Sequence, residues 1–444
     1  MPTLTNLKIT MLTVNFAPER SGIAPYTTGL ATALADQGHD VEVLTSRPHY
    51  PEWRVHPGFE KASREQAGSL TVRRLWHYIP RRPGWVKRLL FEVSYGLRAV
   101  CARWDRPDLV ICVSPALISA FLIYLRIAVG WHSPSTGLIV QDFYARGLQE
   151  TASVGWRRHL GALTAKFEGW VLRRFDGIVV IHDGFRSQVV NDLGIDGSRV
   201  SVIRNWNHVT PEFECDIAAV RESLGWGDET VVLHTGAMGV KQGLENVVEA
   251  ARLAEHLDAP IRFVLLGDGS QRPRLAAAAQ GLSKIDFLDQ VGSKAFGQTL
   301  VAADVLLVNE CPGLKAMALP SKLTTYFRAG KPVVAATDAR STTAQELAAA
   351  QAGVQVAPND PAELVKAVLD LSKNPATSLA MGVRGQAYCR EHLGQDVALT
   401  RYRDWVSSLG ASQVRRPPVR RLPDRWVGST RRRRPVPGER RSAS

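Results

Sequence analysis

A lysine at the start of a short predicted helix is the first residue of this sequence that could bind an anion. Ser321 is a natural N-cap, and the pattern after it predicts a helix from Lys322 to Arg328 that Gly330 ends. The start of such a helix presents free backbone N–H groups and a partial positive charge. Because Lys322 adds a full charge that opposes this dipole, we expect a phosphate or a diphosphate nearby. The alternative is an ordinary capped helix with a surface lysine.

Other residues that could bind a ligand follow predicted strands. In doubly wound α/β sheets, ligands bind beyond the carboxyl ends of the strands. The loops at these positions in the second half of the chain contain Gly236, Lys241, Gly243, Gln290 and Val291. Those in the first half contain Gly22, Asp142 and His182. We expect both groups to line one cleft, although His182 can equally be a strand-end histidine satisfied by hydrogen bonds.

Predicted strands and helices alternate twice along the chain. The first series runs from a strand at Lys8 to one that ends at Ile203, and the second runs from Val231 to about Val356. Because 444 residues exceed what one core usually supports, we predict an α/β protein with two doubly wound, Rossmann-like domains facing a central cleft. The predicted divisions are 1–205, 206–385, 386–410 for helices that could cross back to the first domain, and 411–444 for a disordered Arg/Pro-rich tail.

Several classes of protein are disfavoured by what the sequence lacks. No G-x-G-x-x-G follows a predicted strand, since Arg272 stands where the third glycine after Gly267 should fall, and there is no Walker sequence. The five cysteines are scattered without a C-x-x-C pair, which argues against disulfides and a zinc site and predicts a reducing, cytoplasmic environment. The polar start of the chain does not resemble a signal peptide.

The net charge of +13 is concentrated in two segments. Residues 411–444 carry eleven arginines against two acids, and residues 73–106 carry nine basic residues against two acids. The second segment includes a predicted helix that begins at Trp85 and combines cations with apolar side chains, which is typical of a helix at an anionic membrane surface. The alternative is that its apolar face packs on the sheet. The apolar run from Leu109 to Leu125 is too short and too interrupted to span a membrane.

Six segments carry the most specific signal when they are taken in order: PERSGIAPYTTGLATALADQGHDVEVLTSRPHYPEW, VQD, VIRNW, GAMGVKQGLENVVEAA, LLGDGS and LPSKLTTYFRAGKPVV. This order resembles that of retaining glycosyltransferases of family four, which have the GT-B fold, and in particular the colanic-acid (WcaI-like) subgroup. The resemblance covers residues 8–409. It implies transfer from a GDP- or UDP-linked sugar without a metal or other cofactor, with the donor in the second domain and the acceptor in the first.

The sequence departs from the wider family at the donor site. Ala237 replaces the usual arginine, Gln242 replaces the usual lysine, and the paired glutamates fall on Met317 and Thr325. The resemblance then implies that the diphosphate contacts Ser321, Lys322 and the loop containing Gly236, Lys241 and Gly243, and that the base contacts Gln290 and Val291. In the first domain it makes Asp142 the first choice for the polar group beside the reacting sugar, and His182 the second.

Together these features predict a retaining glycosyltransferase that builds a cell-surface polysaccharide on a lipid-linked acceptor. We expect it in the cytoplasm, peripheral at the inner face of the membrane, with no nucleic acid as a partner. One alternative is a nucleotide-sugar epimerase of the same fold, which would need acid and base groups on both sides of the sugar ring. Another is an inactive protein of this fold whose arginine-rich tail binds nucleic acid or a protein.

Overall fold

The computed structural model describes residues 6–20, 22–82, 84–114, 116–130, 132–143, 155–206, 213–313 and 321–414. Several residues of the sequence predictions lie outside these ranges. They are Met317, Leu319, Pro320 and the tail from residue 415 onward. The side chain of Ser321 is also outside the described part, so its predicted capping role stays a prediction.

The first domain is built on an eight-stranded sheet with the order β3-β4-β2-β1-β5-β6-β7-β8. Its strands are β1 Lys8–Thr13, β2 Asp40–Ser46, β3 Ser63–Ala67, β4 Leu70–Leu75, β5 Leu109–Val113, β6 Ser135–Val140, β7 Gly177–Val180 and β8 Val200–Val202. All neighbouring pairs are parallel except β3 with β4. The central strands are buried on both faces, as near-continuous apolar runs in a parallel sheet require.

Helices cover both faces of this sheet. They are α1 Ala24–Asp36, α2 Trp85–Cys101, α3 Leu117–Val129, α4 Gly155–Leu172 and α5 Asp183–Ser187. Buried side chains of α2, α3 and α5 form one core with the sheet, while those of α1 form a second core on the opposite face. This is the layered arrangement that doubly wound sheets need in order to bury both faces.

The second domain repeats the architecture with six parallel strands in the order β11-β10-β9-β12-β13-β14. The strands are β9 Thr230–Thr235, β10 Ile261–Leu266, β11 Ile285–Leu288, β12 Val305–Asn309, β13 Val333–Ala336 and β14 Gly353–Val356. The helices are α6 Ile217–Ser223, α7 Glu245–His256, α8 Arg272–Ala278, α9 Ser293–Ala302, α10 Ser321–Ala329, α11 Thr342–Ala350, α12 Pro361–Lys373 and α13 Pro375–His392. Two sheets with helices on both faces confirm the predicted fold class.

The last helix, α14 Gln395–Val414, packs on the first domain. Its Trp405 lies so close to two strands that a Cβ at Gly137 would be 2.4 Å from the indole ring and one at Gly177 would be 2.9 Å from it. Glycine is therefore required at these positions of β6 and β7. The helix continues through residue 414 and so includes the first four residues of the predicted tail, 411–444.

Helix α13 runs across the predicted boundary between residues 385 and 386, and the division itself stays a prediction. The two glycines there do not end the helix. A Cβ at Gly382 would lie 2.0 Å from the carbonyl oxygen of Gly330, and one at Gly385 would lie 3.1 Å from Ala352. They allow α13 to pack closely on α10 and its neighbours, as small residues at helix contacts do.

Strand β3 was not predicted from the sequence. Every one of its residues is exposed, and the segment Ser-Arg-Glu-Gln-Ala has no apolar alternation to reveal it. It forms by antiparallel pairing with β4 at the sheet edge. Among the residues that the structure describes, no helix is long and apolar enough to cross a membrane.

Candidate functional site

A buried histidine and the predicted anion-binding lysine meet at the carboxyl edge of the second sheet. His234 is the penultimate residue of β9 and is fully buried, and its Nε2 lies 3.2 Å from Nζ of Lys322 in the first turn of α10. Its Nδ1 lies 3.2 Å from the carbonyl oxygen of Leu307 in β12. Because an ammonium group only donates, Nε2 must accept and Nδ1 must carry the proton. His234 therefore holds Lys322 as a neutral imidazole.

Burial shifts both of these groups toward their neutral forms. Desolvation and the Lys322 charge lower the pKa of His234 well below its ordinary value. Desolvation also lowers the pKa of Lys322 to about 8, and only Glu310 opposes this shift. An ammonium group that is desolvated and only partly compensated is stabilised by an added anion. The site therefore has the charge pattern that a phosphate ligand would satisfy.

Glu310 brings a carboxylate to this site from the end of β12. Its side chain accepts hydrogen bonds from the hydroxyl groups of Thr337 and, at 2.8 Å, Thr343. The sequence comparison had left no carboxylate near Lys322, because the family's paired glutamates fall on Met317 and Thr325. The structure shows that Glu310 is close enough to Lys322 to raise its pKa.

The predicted glycine-rich loop lies beside this pair, at the end of β9. Gly236 has a φ of +100°, and its missing side chain leaves open space above the loop. Gly243 has a φ of +55°, and a Cβ there would lie 3.0 Å from Sγ of Cys311. Both positions need glycine, one for its backbone conformation and the other also for close packing.

The remaining residues of the loop explain one departure from the wider family. Oε1 of Gln242 accepts a hydrogen bond of 3.0 Å from the backbone N–H of Gly239 and so closes the turn. Nδ2 of Asn309 in β12 donates to the carbonyl oxygens of Gln242 and Gly243 at 2.8 and 2.9 Å. Gln242 therefore shapes the loop. Lys241, which precedes it, has an exposed side chain.

Gln290 and Val291 lie in an exposed loop after β11, which is the edge strand. Two strand spacings, roughly 10 Å, separate β11 from β9. These residues therefore lie at the same carboxyl edge of the sheet as the loop after β9. The Val291 side chain is 44% exposed.

In the first domain, Asp142 and His182 follow the adjacent strands β6 and β7. The pairing of Val140 with Val180 places them side by side. Asp142 is exposed, and its Oδ1 accepts a hydrogen bond of 2.8 Å from the N–H of Phe143. His182 is 3% exposed, and its Nδ1 accepts a hydrogen bond of 3.2 Å from the N–H of Phe185 as the N-cap of α5. Asp142 is thus the accessible group of the two.

Gly22 allows two loops of the first domain to approach each other. Its φ is +64°, and a Cβ there would lie 3.1 Å from the ring of Tyr50. Nearby, the buried carboxylate of Glu19 accepts hydrogen bonds of 2.7 and 2.8 Å from the N–H groups of His49 and Tyr50. These contacts join the loop after β1 to the loop after β2.

Sequence reasoning missed His234, Glu310, Asn309 and Glu19. A histidine that interrupts an apolar strand just before a glycine-rich loop was a usable signal for His234. Nothing local distinguishes Glu310, whose role depends on the convergence of β12 with α10. Among the described residues, no three His, Cys, Asp or Glu side chains cluster in a way that could hold a metal ion.

Comparisons with known proteins identify the family of this chain. A glycosyl transferase 4-like domain matches residues 21–206, and the model of glycosyl transferases group 1 matches residues 229–374. The colanic acid biosynthesis glycosyl transferase WcaI of Escherichia coli (strain K12) is 31% identical over 338 residues, which cover 73% of this chain and 82% of that protein.

Two solved structures show the same fold at low identity. Sucrose-phosphate synthase from Thermosynechococcus elongatus matches with a TM-score of 0.67 and 16% identity over 92% of this chain and all of that chain. HepE of Anabaena, solved in complex with UDP, matches with a TM-score of 0.64 and 13% identity over 90% of this chain and all of that chain. The chain therefore has the GT-B fold, belongs to the WcaI-like family-four glycosyltransferases, and is a glycosyltransferase of glycan biosynthesis.

Proposed function

We propose that this protein is a retaining, metal-independent glycosyltransferase. It transfers a sugar from a GDP- or UDP-linked donor to a lipid-linked glycan acceptor during synthesis of an exopolysaccharide. The observation that carries the proposal is the buried Lys322–His234 pair beside the Gly236 loop. This arrangement offers a diphosphate a desolvated positive charge and a stretch of backbone that no side chain covers. The UDP in the HepE complex gives further support for a nucleotide ligand.

The charge that develops in the reaction explains how these residues would act. Breaking the bond between sugar and diphosphate leaves negative charge on the phosphate oxygens, and a preorganised cation in a water-poor site stabilises it strongly. Lys322 has this position in the second domain. In the first domain we assign the exposed carboxylate of Asp142 to the reacting sugar, where an anion would stabilise the developing positive charge of an oxocarbenium-like centre.

We propose that the protein works in the cytoplasm at the inner face of the membrane. Val86, Leu90 and Leu97 of α2 are 46%, 51% and 49% exposed. A spacing of four and then seven residues places them on one stripe of the helix. The cations Lys87 and Arg98 lie beside this stripe, so α2 presents to solvent a second apolar face, in addition to its core face with Phe91 and Tyr95. Such a stripe favours an interfacial location.

A transfer assay tests the proposed function directly. The purified protein is incubated with radiolabelled UDP- and GDP-sugars and with lipid-linked glycans extracted from the source cells, in the presence and absence of EDTA. We expect label in the lipid fraction with EDTA present, and NMR of the product linkage should show the anomeric configuration of the donor. Label that stays in a nucleotide sugar of changed configuration would instead identify an epimerase. Binding of nucleotide without turnover of any donor would identify an inactive protein.

A further inference from the structure

A cavity of about 450 Å³ opens in the first domain. Its walls are formed by Arg47, Trp53, Arg54, Val55, Ile79 and Arg81. It lies beyond the ends of β2 and β4, at the same edge of the sheet that carries Asp142. Three of its six lining residues are arginines, so the cavity has the charge of an anion-binding site.

Arg47 is the most informative of these residues because it is only 8% exposed. Its guanidinium donates to the carbonyl oxygens of Glu60 and His77 at 2.7 and 3.1 Å, while its Nε is buried without a hydrogen-bond partner in the described part of the chain. The negative charge of Glu60 acts on Arg47 and opposes the lowering of its pKa by burial. Within 4 Å, however, no carboxylate of the described residues forms an ion pair with Arg47. A buried charge without a counter-ion is costly to retain. A bound anion would supply the missing partner.

Arg54 and Arg81 extend the positive wall toward solvent. Both side chains are exposed, and neither forms an ion pair with a described carboxylate. Trp53 provides an apolar wall and is itself covered by Arg88, whose guanidinium carbon lies 5.6 Å from the ring centre. The φ of Trp53 is +53°, which is rare for a bulky residue and is typically retained where function requires it.

The position of the cavity separates it from the donor phosphates. Strand β2 is three neighbours away from β6 in the sheet, so the ends of these two strands are roughly 14 Å apart. Lys322, which would hold the donor diphosphate, lies in the other domain. A second anion in the same reaction belongs to the acceptor. We propose that the arginine cavity binds a phosphate or diphosphate group of the acceptor, an inference that rests on the proposed transferase function.

Calorimetry with inorganic diphosphate tests this assignment in the full-length protein. The parent protein carries Lys322→Ala, which weakens the donor site. The cavity variant adds Arg54→Gln and Arg81→Gln to this parent and so removes the two exposed cations of the cavity. The matched control is Arg64→Gln with Arg186→Gln, which removes the same charge from exposed positions of the same domain that do not line the cavity. Arg47 is left intact because its hydrogen bonds hold two loops together.

We expect the cavity variant to lose at least tenfold in affinity for diphosphate, and the control to stay within twofold of its parent. Equal affinities in the two variants would overturn the proposal. Repeating the titration with a short-chain isoprenyl diphosphate and with phosphatidylglycerol vesicles separates the sources of phosphate. If the cavity variant binds both soluble diphosphates more weakly, the proposal of an acceptor site is supported. If it loses only vesicle binding, the proposal is overturned in favour of a lipid headgroup site. Binding of UDP and GDP to the protein with intact Lys322 is measured separately. Failure of the proposed donor site can therefore be distinguished from failure of the proposed acceptor site.

Discussion

The properties of Lys322 depend on the residues that surround it. An exposed lysine is fully charged at pH 8, but burial next to His234 lowers the pKa of Lys322 to about 8. A diphosphate favours the charged form, so a bound anion must raise this pKa again. Binding above pH 8 therefore requires uptake of a proton, and affinity should depend on pH in a range where the phosphates themselves are already ionised.

We expect Lys322→Ala to weaken binding of a nucleoside diphosphate by about ten- to a hundredfold, the usual worth of a charge-assisted contact. Lys241→Ala should have a smaller effect because Lys241 is exposed. Isothermal titration calorimetry between pH 7 and 9 should show the affinity of the unmodified protein falling above pH 8, by up to about tenfold per pH unit. Equal and near-zero effects of the two substitutions, or a pH profile that Lys322→Ala leaves unchanged, would remove Lys322 from the site.

Asp142→Asn should leave donor binding unchanged and slow transfer by at least tenfold, because this carboxylate lies in the first domain and acts on the sugar. Calorimetry with the nucleotide and single-turnover transfer separate the two effects. Asp183→Asn, at the exposed start of the next helix, is the matched control. Unchanged turnover of the Asp142→Asn variant would transfer the role to His182, despite the use of its Nδ1 as a helix cap.

His77 predicts how the stability of the protein depends on acid. Burial lowers its pKa to about 3, while Nε2 lies 2.7 Å from Oγ of Ser46. In the unfolded state His77 binds a proton near pH 6.5, whereas in the folded state it does not. The contribution of neutral His77 to the free energy of unfolding is therefore complete above pH 6.5 and is lost as pH falls toward 3. The cost is about 1.4 kcal/mol per pH unit.

Urea unfolding at pH 7, 6 and 5 measures this slope. We expect His77→Gln to make the free energy of unfolding fall less steeply, by about 1.4 kcal/mol per pH unit. His256→Gln changes an exposed histidine and should retain the slope of the unmodified protein. Parallel curves for all three proteins would show that folding does not lower the pKa of His77.

At the scale of elements, α14 is the segment whose contacts decide the geometry of the first domain. Trp405 is 6% exposed and fills the space above Gly137 and Gly177. Trp405→Ala should therefore lower the free energy of unfolding by about 3 to 5 kcal/mol, the usual cost of removing a large buried aromatic side chain. Leu379→Ala, at a position 68% exposed, should change it by less than about 0.5 kcal/mol. Urea denaturation checks both, and a loss below 1 kcal/mol for Trp405→Ala would mean that α14 is only loosely attached.

The same elements show how far sequence reasoning reaches. Apolar runs that end in glycine-rich loops predicted the two sheets and the strand ends because these signals are local. Lys322 was predicted as an anion-binding residue because its conflict with the helix dipole is also local. His234 and Glu310 were not, since their roles arise where β9, β12 and α10 converge. The glycines of β6 and β7 have no explanation until Trp405 is placed against them, more than two hundred residues later in the chain.

For the whole molecule, the distribution of charge predicts a reversible association with membranes. Lys87, Arg88 and Arg98 lie on α2, which carries the exposed apolar stripe, whereas Arg73 and Arg74 on β4 form ion pairs with Glu42 and Glu65. The chain outside the segment 73–106 and the tail is slightly negative. Each basic residue near an anionic surface contributes about 1 kcal/mol, and two weak attachments together can hold what neither holds alone. The tail after residue 414 provides the second basic segment.

We expect the protein to cosediment with anionic vesicles and to be released as salt is raised, because screening weakens the attraction. Removal of residues 415–444 should reduce the bound fraction, and neutralising Arg82, Lys87 and Arg88 in the truncated protein should reduce it further. Arg81 is retained because it lines the arginine cavity. Neutralising Lys294, Lys366 and Lys373 of the second domain removes the same charge from exposed positions away from α2 and is the control. If the truncated and neutralised protein pelleted as well as the intact one, α2 would not be a membrane contact, and the tail would have to be considered as a tether for another macromolecule.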